Sequence, residues 1–307
     1  MFSNLTAING YNPIKALFLK EFWDNKRAIF TTPMVITGLF IFFAIVAMIN
    51  GSGMMFDGVS MNDHLSNNTE FDEKSSAIMT GILMVSPMVL MISVGFSMVF
   101  TALSVLFDER KDKSILFWKS MPVSDTQEVL VKLATVVVVT PVIAIGFALI
   151  IQFFTTFMLG AIVSINTDYS AWDLVFTNIN YLAVIIGDIV PVFVIILWTL
   201  PIFTYFMLVS SFSRRSPFLL AFIIPVLGVV IEKIFFDSEQ ILRVIASRFT
   251  YLEKYGDRYD IDDGGNMIEA VTGLLGSLGE PSLWIGIIVA AAMIAGSIQI
   301  RKRNSIT

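Results

Sequence analysis

Six apolar runs, each long enough to cross a lipid bilayer as a helix, govern what this chain can fold into. A hydrocarbon core of about 30 Å takes roughly 20 helical residues to cross. The runs at 33–50, 77–107, 130–165, 181–212, 218–236 and 283–300 reach or approach that length. The second, third and fourth exceed it, so they must tilt, kink or protrude, and Pro87, Pro141, Pro191 and Pro201 supply kink points. Composition points the same way. The 307 residues are 56% hydrophobic and only 15% charged, against about 25% charged in soluble proteins. Lipid must therefore solvate part of the apolar surface. The expected fold is an all-α integral membrane protein, one domain of six transmembrane helices.

The residue inventory leaves little room for enzymatic chemistry. There is no cysteine, which excludes disulfides, thiolate catalysis and Cys-ligated metal. The one histidine, His64, lies in an acidic stretch at 51–76, where a solvated side chain is expected, and it cannot complete a Ser-His-Asp triad within the membrane. No G-x-x-x-x-G-K-[ST] phosphate loop and no H-E-x-x-H is present. The acidic run at 257–266 resembles a calcium loop only superficially. Aligned from Asp260, its fifth ligand position is Gly264 and its twelfth is Val271, where a glutamate is needed. The net charge of -5, with no long basic block, gives no indication of a nucleic-acid partner. No metal or cofactor is expected in the chain itself. No cleavable signal peptide is expected either, because a charged stretch precedes the first apolar run.

Orientation follows from the basic residues. With both ends on one side, fourteen of the twenty Lys and Arg residues fall there, which the positive-inside rule makes cytoplasmic. Ahead of the first span, residues 12–31 place Ile14, Leu17, Phe18, Phe22 and Ile29 on one helical face. Lys15, Lys20, Asp24 and Lys26 fall mostly elsewhere, as suits an amphipathic helix at the membrane interface. Lys20, Glu21 and Trp23 are its candidate functional residues. Thr32 reads as an N-cap and Pro33 as a first helical residue, so the chain is expected to turn there. The longest outer segment, 237–282, should hold an amphipathic helix over 238–255 and an apolar piece at 267–279 too short to cross. Asp188, in the fourth run, should face protein or water rather than lipid. It is either a polar point on a transport path or a carboxylate near the outer boundary.

The most informative stretch is the polar loop at 108–129. Ser124-Asp-Thr-Gln127 is a capping box that opens the helix leading through Lys132 into the third span. Upstream, 108–119 can form a short charged helix that carries Phe117 and Trp118, with Pro122 as its break. An exposed aromatic cluster on such a helix suits docking into a partner's groove, or anchoring among lipid headgroups as an aromatic belt.

These residues carry a resemblance. Glu109-Arg110, Ser114, Met121-Pro122-Val123-Ser124, Glu128 and Lys132 are similar to the cytoplasmic loop of ABC-2-type transporter permeases. The KEFW-containing helix ahead of the first span, the six spans and the large outer loop agree with that family's layout. Asp112-Lys113 stands where the family commonly has glycine or another small residue, and Phe117-Trp118 where it has leucines. The resemblance implies the membrane subunit of an exporter in a plasma or inner membrane, of bacterial type. It also implies a second permease chain, identical or related, and a separate ATPase subunit that holds ATP and Mg. Glu109, Arg110, Lys113, Ser114, Phe117, Trp118, Met121, Pro122 and Ser124 would couple to that ATPase. Ser86, Met88, Ser93, Phe96 and Ser97 of the second span, with Asp188, are candidates to line the path. A membrane scaffold or regulatory subunit without cargo, and an ion-driven secondary transporter, are the competing classes.

Overall fold

The computed structural model describes residues 13–49, 79–113, 123–166, 170, 172–177, 179–256 and 267–303. Among them there is no strand, and six helices are long and apolar enough to span a membrane: Arg27–Ile49, Met79–Lys111, Asp125–Ile165, Tyr181–Phe212, Pro217–Phe236 and Pro281–Arg303. They are called the first to sixth spans below. Each matches one of the expected runs, and most extend further into the polar residues at their ends.

Spans four and six form the most extensive helix pairing. Gly296 makes it close: a Cβ there would sit 3.3 Å from Leu208. The second and third spans pack around this pair. Val94, Met98, Ala102, Val129, Ala144, Phe206 and Met207 share one apolar core. In contrast, Ala221 is the one fully buried residue of the fifth span. Val226, Ile234, Phe235 and Phe236 of that span stay exposed, as a lipid-facing surface requires.

The prolines act as local chemistry demands. Pro87 interrupts the second span, which resumes as helix Met88–Ser104. Pro191 and Pro201 lie within the long fourth span. There, the Thr204 hydroxyl donates to the Pro201 carbonyl at 3.0 Å. Pro33 and Pro141 share a further device. Each follows a threonine, and a π-helical turn immediately precedes each Thr-Pro pair, at Arg27–Thr31 and Thr135–Val139. Proline lacks an N–H and its ring clashes with the carbonyl four residues back. Widening the helix by one residue relieves that clash. In both cases the threonine hydroxyl donates to the carbonyl five residues earlier, Thr32 to Arg27 and Thr140 to Thr135, each at 2.9 Å.

This corrects the expected turn at Thr32-Pro33. Thr32 has helical dihedrals (φ -62°, ψ -53°) and is not an N-cap; its backbone N–H donates to the Arg27 carbonyl. Backbone hydrogen bonds also run on through Asn25, from Asn25 N to Glu21 O and from Ile29 N to Asn25 O. The leading helix Pro13–Asp24 therefore continues into the first span. Because the π turn accommodates Pro33, no helix start is needed there.

At the opposite end from the chain's leading helix, Gln240–Gly256 forms the expected amphipathic helix and Met267–Gly276 a short one that leads into the sixth span. Glu232 of the fifth span caps the first of these, accepting from the backbone N–H groups of Gln240 at 2.7 Å and Ile241 at 2.8 Å.

Candidate functional site

The helix Asp125–Ala134 opens with the capping box expected from its sequence. The Gln127 N–H donates to the Ser124 hydroxyl at 3.2 Å, and the Ser124 N–H donates to the Gln127 side-chain carbonyl at 3.1 Å. This fixes the helix start and thus its rotation. Asp125, Glu128 and Lys132, spaced three and four apart, then share one face. That face turns towards the protein, not towards water: Glu128 is 4% exposed and Lys132 1%.

The leading helix supplies the complementary face. It packs against Asp125–Ala134, with Leu17 and Glu21 buried. The end of the second span adds Glu109, and the end of the sixth adds Arg301. Lys132 Nζ lies 2.7 Å from Glu21 Oε1 and 2.8 Å from Glu109 Oε1. Lys20 Nζ pairs with the same Glu109 oxygen, lies 3.1 Å from Glu21 and stands 3.8 Å from Glu128. Arg301 divides its guanidinium three ways: Nη1 to Glu109 at 2.7 Å, Nε to Asp125 at 3.1 Å, and Nη2 to Glu128. Three cations and four carboxylates from four separate parts of the chain thus form one cluster, with the exposed Asp24 3.9 Å from Lys20 at its rim.

Burial opposes the charge on Lys20, but the carboxylates of Glu21 and Glu109 outweigh it, and the ammonium titrates above its usual range. Removing ions from water is expensive, and a buried cluster persists only where each charge finds partners. Such an arrangement stabilises little over an apolar core of equal volume. It does hold the four elements together, because separating any of them exposes an unpaired charge.

Arg110, the neighbour of Glu109, ties the second span to the fourth. Its guanidinium donates to the carbonyls of Ser210 and of Ser213, the latter at 2.9 Å. The second span is interrupted just before this point, at Val105-Leu106. The Ser210 hydroxyl accepts the two N–H groups released there, from Leu106 at 3.2 Å and Phe107 at 3.0 Å.

The sequence-nominated residues thus separate into groups. Lys20, Glu21, Glu109 and Arg110 are turned inward and engaged within the chain. Lys20, which falls away from the apolar face of the leading helix, lies inside because the helix it packs against is itself charged. Trp23 is exposed, with the Lys26 ammonium 4.7 Å from its ring centre. Lys113 is exposed and ends the short helix Phe107–Lys111 in the left-handed region, φ 57°. That conformation favours glycine. Ser124 is spent on its cap. Ser114, Phe117, Trp118, Met121 and Pro122 lie outside the described residues, as do His64 and the acidic run 257–266.

In the second span, the Ser86 and Ser93 hydroxyls donate to their own helix, at the carbonyls of Leu83 and Leu90. Ser97 donates to the Ala28 carbonyl at 3.1 Å and so joins the second span to the first. Met88 and Phe96 are exposed on the bundle surface. Asp188 is buried between the third and fourth spans, facing Gln152. It lies 22 residues from Ser210 along the fourth span, or about 33 Å at 1.5 Å per residue. It therefore sits towards the end of the bundle opposite the charge cluster.

Sequence reasoning missed Arg301 and Ser210 as site residues. Arg301 follows the last apolar run, where its only signal in the sequence is one basic residue of the fourteen on that side. No family model matches the chain, and neither does any curated protein or solved structure.

Proposed function

We propose that this chain is the membrane-spanning permease subunit of an ATP-driven exporter of the ABC type, with the charge cluster at its cytoplasmic end. The observation that carries the reading is the cluster itself. The leading helix, the end of the second span and the start of the third are the parts that resemble the ATPase-coupling elements of ABC-2 permeases. Glu21, Glu109, Lys132 and Arg301 bind those three parts to one another and to the sixth span. A push delivered to the polar stretch after Lys111 would travel through Glu109 into the leading helix and the sixth span together, and through Arg110 into the fourth. Glu109 and Arg110 act in this scheme as transmitters rather than as docking contacts. Docking falls to the exposed side of the same end, where Trp23 and Lys113 stand. The pump would pair two permease chains with two copies of an ATPase that holds ATP and Mg.

The test is purification from native membranes with the chain tagged. The reading requires a co-purifying subunit with a phosphate loop, and ATP hydrolysis by the complex but not by the isolated chain. Replacing Arg301 by Gln should uncouple hydrolysis from transport while the subunit stays bound. A chain that purifies alone under mild conditions, or hydrolyses ATP alone, counts against it.

A further inference from the structure

A second buried polar group lies at the far end of the bundle, and its chemistry differs from that of the cluster. Asp188 of the fourth span is 9% exposed and Gln152 of the third 5%. They face one another. Even so, they do not close a hydrogen bond of good geometry, and both polar atoms of the Gln152 side chain and Oδ2 of Asp188 lack such a partner among the described residues. Thr155 and Thr156 are buried on the adjoining turn. Their hydroxyls donate to the carbonyls of Ile151 and Gln152 at 2.9 Å; Thr155 keeps oxygen lone pairs open, whereas Thr156 also engages the Tyr181 hydroxyl.

In the cluster, Glu21, Glu109 and Glu128 each lie within reach of a lysine or arginine. Among the described residues no cationic side chain pairs with Asp188. Other titratable groups at this end include Tyr181, whose hydroxyl donates to the Val175 carbonyl, and Arg248, which lies over the Trp198 ring. They also include Glu232, Lys233, Glu239 and Arg243, which engage one another or the backbone around the start of helix Gln240–Gly256. None of these is paired with Asp188 among the described residues. A carboxylate removed from water with no counter-charge is strongly disfavoured. A single bound positive charge removes the problem, and the available donors are a carboxylate, an amide oxygen and hydroxyls. Hard oxygen donors suit hard cations. One carboxylate balances one unit of charge.

We propose that Asp188 and Gln152 form an intramembrane site for one small monovalent cation, a proton or a sodium ion. The site stands apart from the ATPase-coupling reading. It uses none of the cluster residues, so either idea can fail alone.

The experiment is infrared difference spectroscopy on the full chain in lipid nanodiscs, with carboxyl-13C aspartate to identify the Asp188 band against Asp188→Asn. At neutral pH with choline as the only salt cation, a protonated carboxyl stretch is expected. If sodium chloride leaves that band in place, the occupant is a proton. If sodium chloride converts it to carboxylate bands, the occupant is sodium, and Gln152→Leu should raise the sodium concentration needed. Should Asp188→Asn fail to fold, carbodiimide modification of the wild-type chain gives a second reading. Dicyclohexylcarbodiimide adds to protonated carboxyls in apolar surroundings, so the Asp188 peptide should be modified in choline. Ionised carboxylate bands in choline with no modification would mean a hydrated, unoccupied aspartate and would overturn the proposal.

Discussion

The ammonium of Lys132 lies 2.7 Å from the carboxylate of Glu21, across 111 residues of sequence, and both side chains are closed to solvent. Because neither has water to fall back on, loss of one leaves the other to its second partner alone, Glu109 for Lys132 and Lys20 for Glu21. Lys132→Met should therefore destabilise the chain by about 3–5 kcal/mol. Glu21→Gln alone should also destabilise it, and the double variant should lose clearly less than the two single losses combined. Thermal unfolding in detergent across the four proteins measures the coupling. Simple additivity would remove the pair from the account.

Ser210→Ala removes the acceptor of two backbone N–H groups at the break in the second span. Each orphaned buried group costs about 1–3 kcal/mol. Faster hydrogen exchange at Leu106 and Phe107, with amides elsewhere in the second span unchanged, is the expected signature. Ser210→Thr, which keeps the hydroxyl, should restore much of the protection.

Lys113 holds a left-handed backbone conformation that costs a side chain roughly 1–2 kcal/mol. Lys113→Gly should therefore stabilise the end of helix Phe107–Lys111, unlike most substitutions to glycine. A rise in melting temperature, compared with Lys113→Ala as control, checks this.

At the far end, a Cβ on Gly286 would fall 2.5 Å from Nη1 of Arg248. Gly286→Ala should push that guanidinium off the Trp198 ring, which it overlies at 5.7 Å, and free the Ser282 carbonyl it donates to at 3.1 Å. A change in Trp198 emission, measured with the other tryptophans replaced by phenylalanine, reports the displacement. Arg248→Ala should mimic it.

Lys20 titrates above its usual range because Glu21 and Glu109 hold its charge. Its contribution is therefore fully present below the unfolded lysine value of about 10.4 and is lost as pH rises through the higher folded value. Wild-type stability should fall more steeply above that pH than the stability of Lys20→Met.

Local chemistry made much of the fold legible in advance. The span positions follow from length and hydropathy, and the Ser124–Gln127 cap needs only four consecutive residues. Pro87, expected as a kink point, goes further and interrupts its helix. Thr32-Pro33 misled because the same dipeptide suits a helix start and a π turn. Its twin at Thr140-Pro141 shows that the second solution is used within an apolar run. The cluster was legible only in halves. Asp125, Glu128 and Lys132 already share a face by spacing, and Lys20 and Glu21 sit on a helix. Their meeting with Glu109 and Arg301 depends on packing between helices far apart in sequence, which spacing along one helix does not encode.

The central claim is that the end of the bundle carrying the charge cluster receives force from a separate ATPase. Site-specific photo-crosslinking in native membranes tests it most directly, with a benzophenone amino acid at Trp23 or Lys113 and a far-end control at Leu242. The account predicts a crosslink from the first two positions to a subunit with a phosphate loop, and none from Leu242. Capture of that subunit from Leu242 alone, or no ATPase captured from either charged-end position, would contradict it.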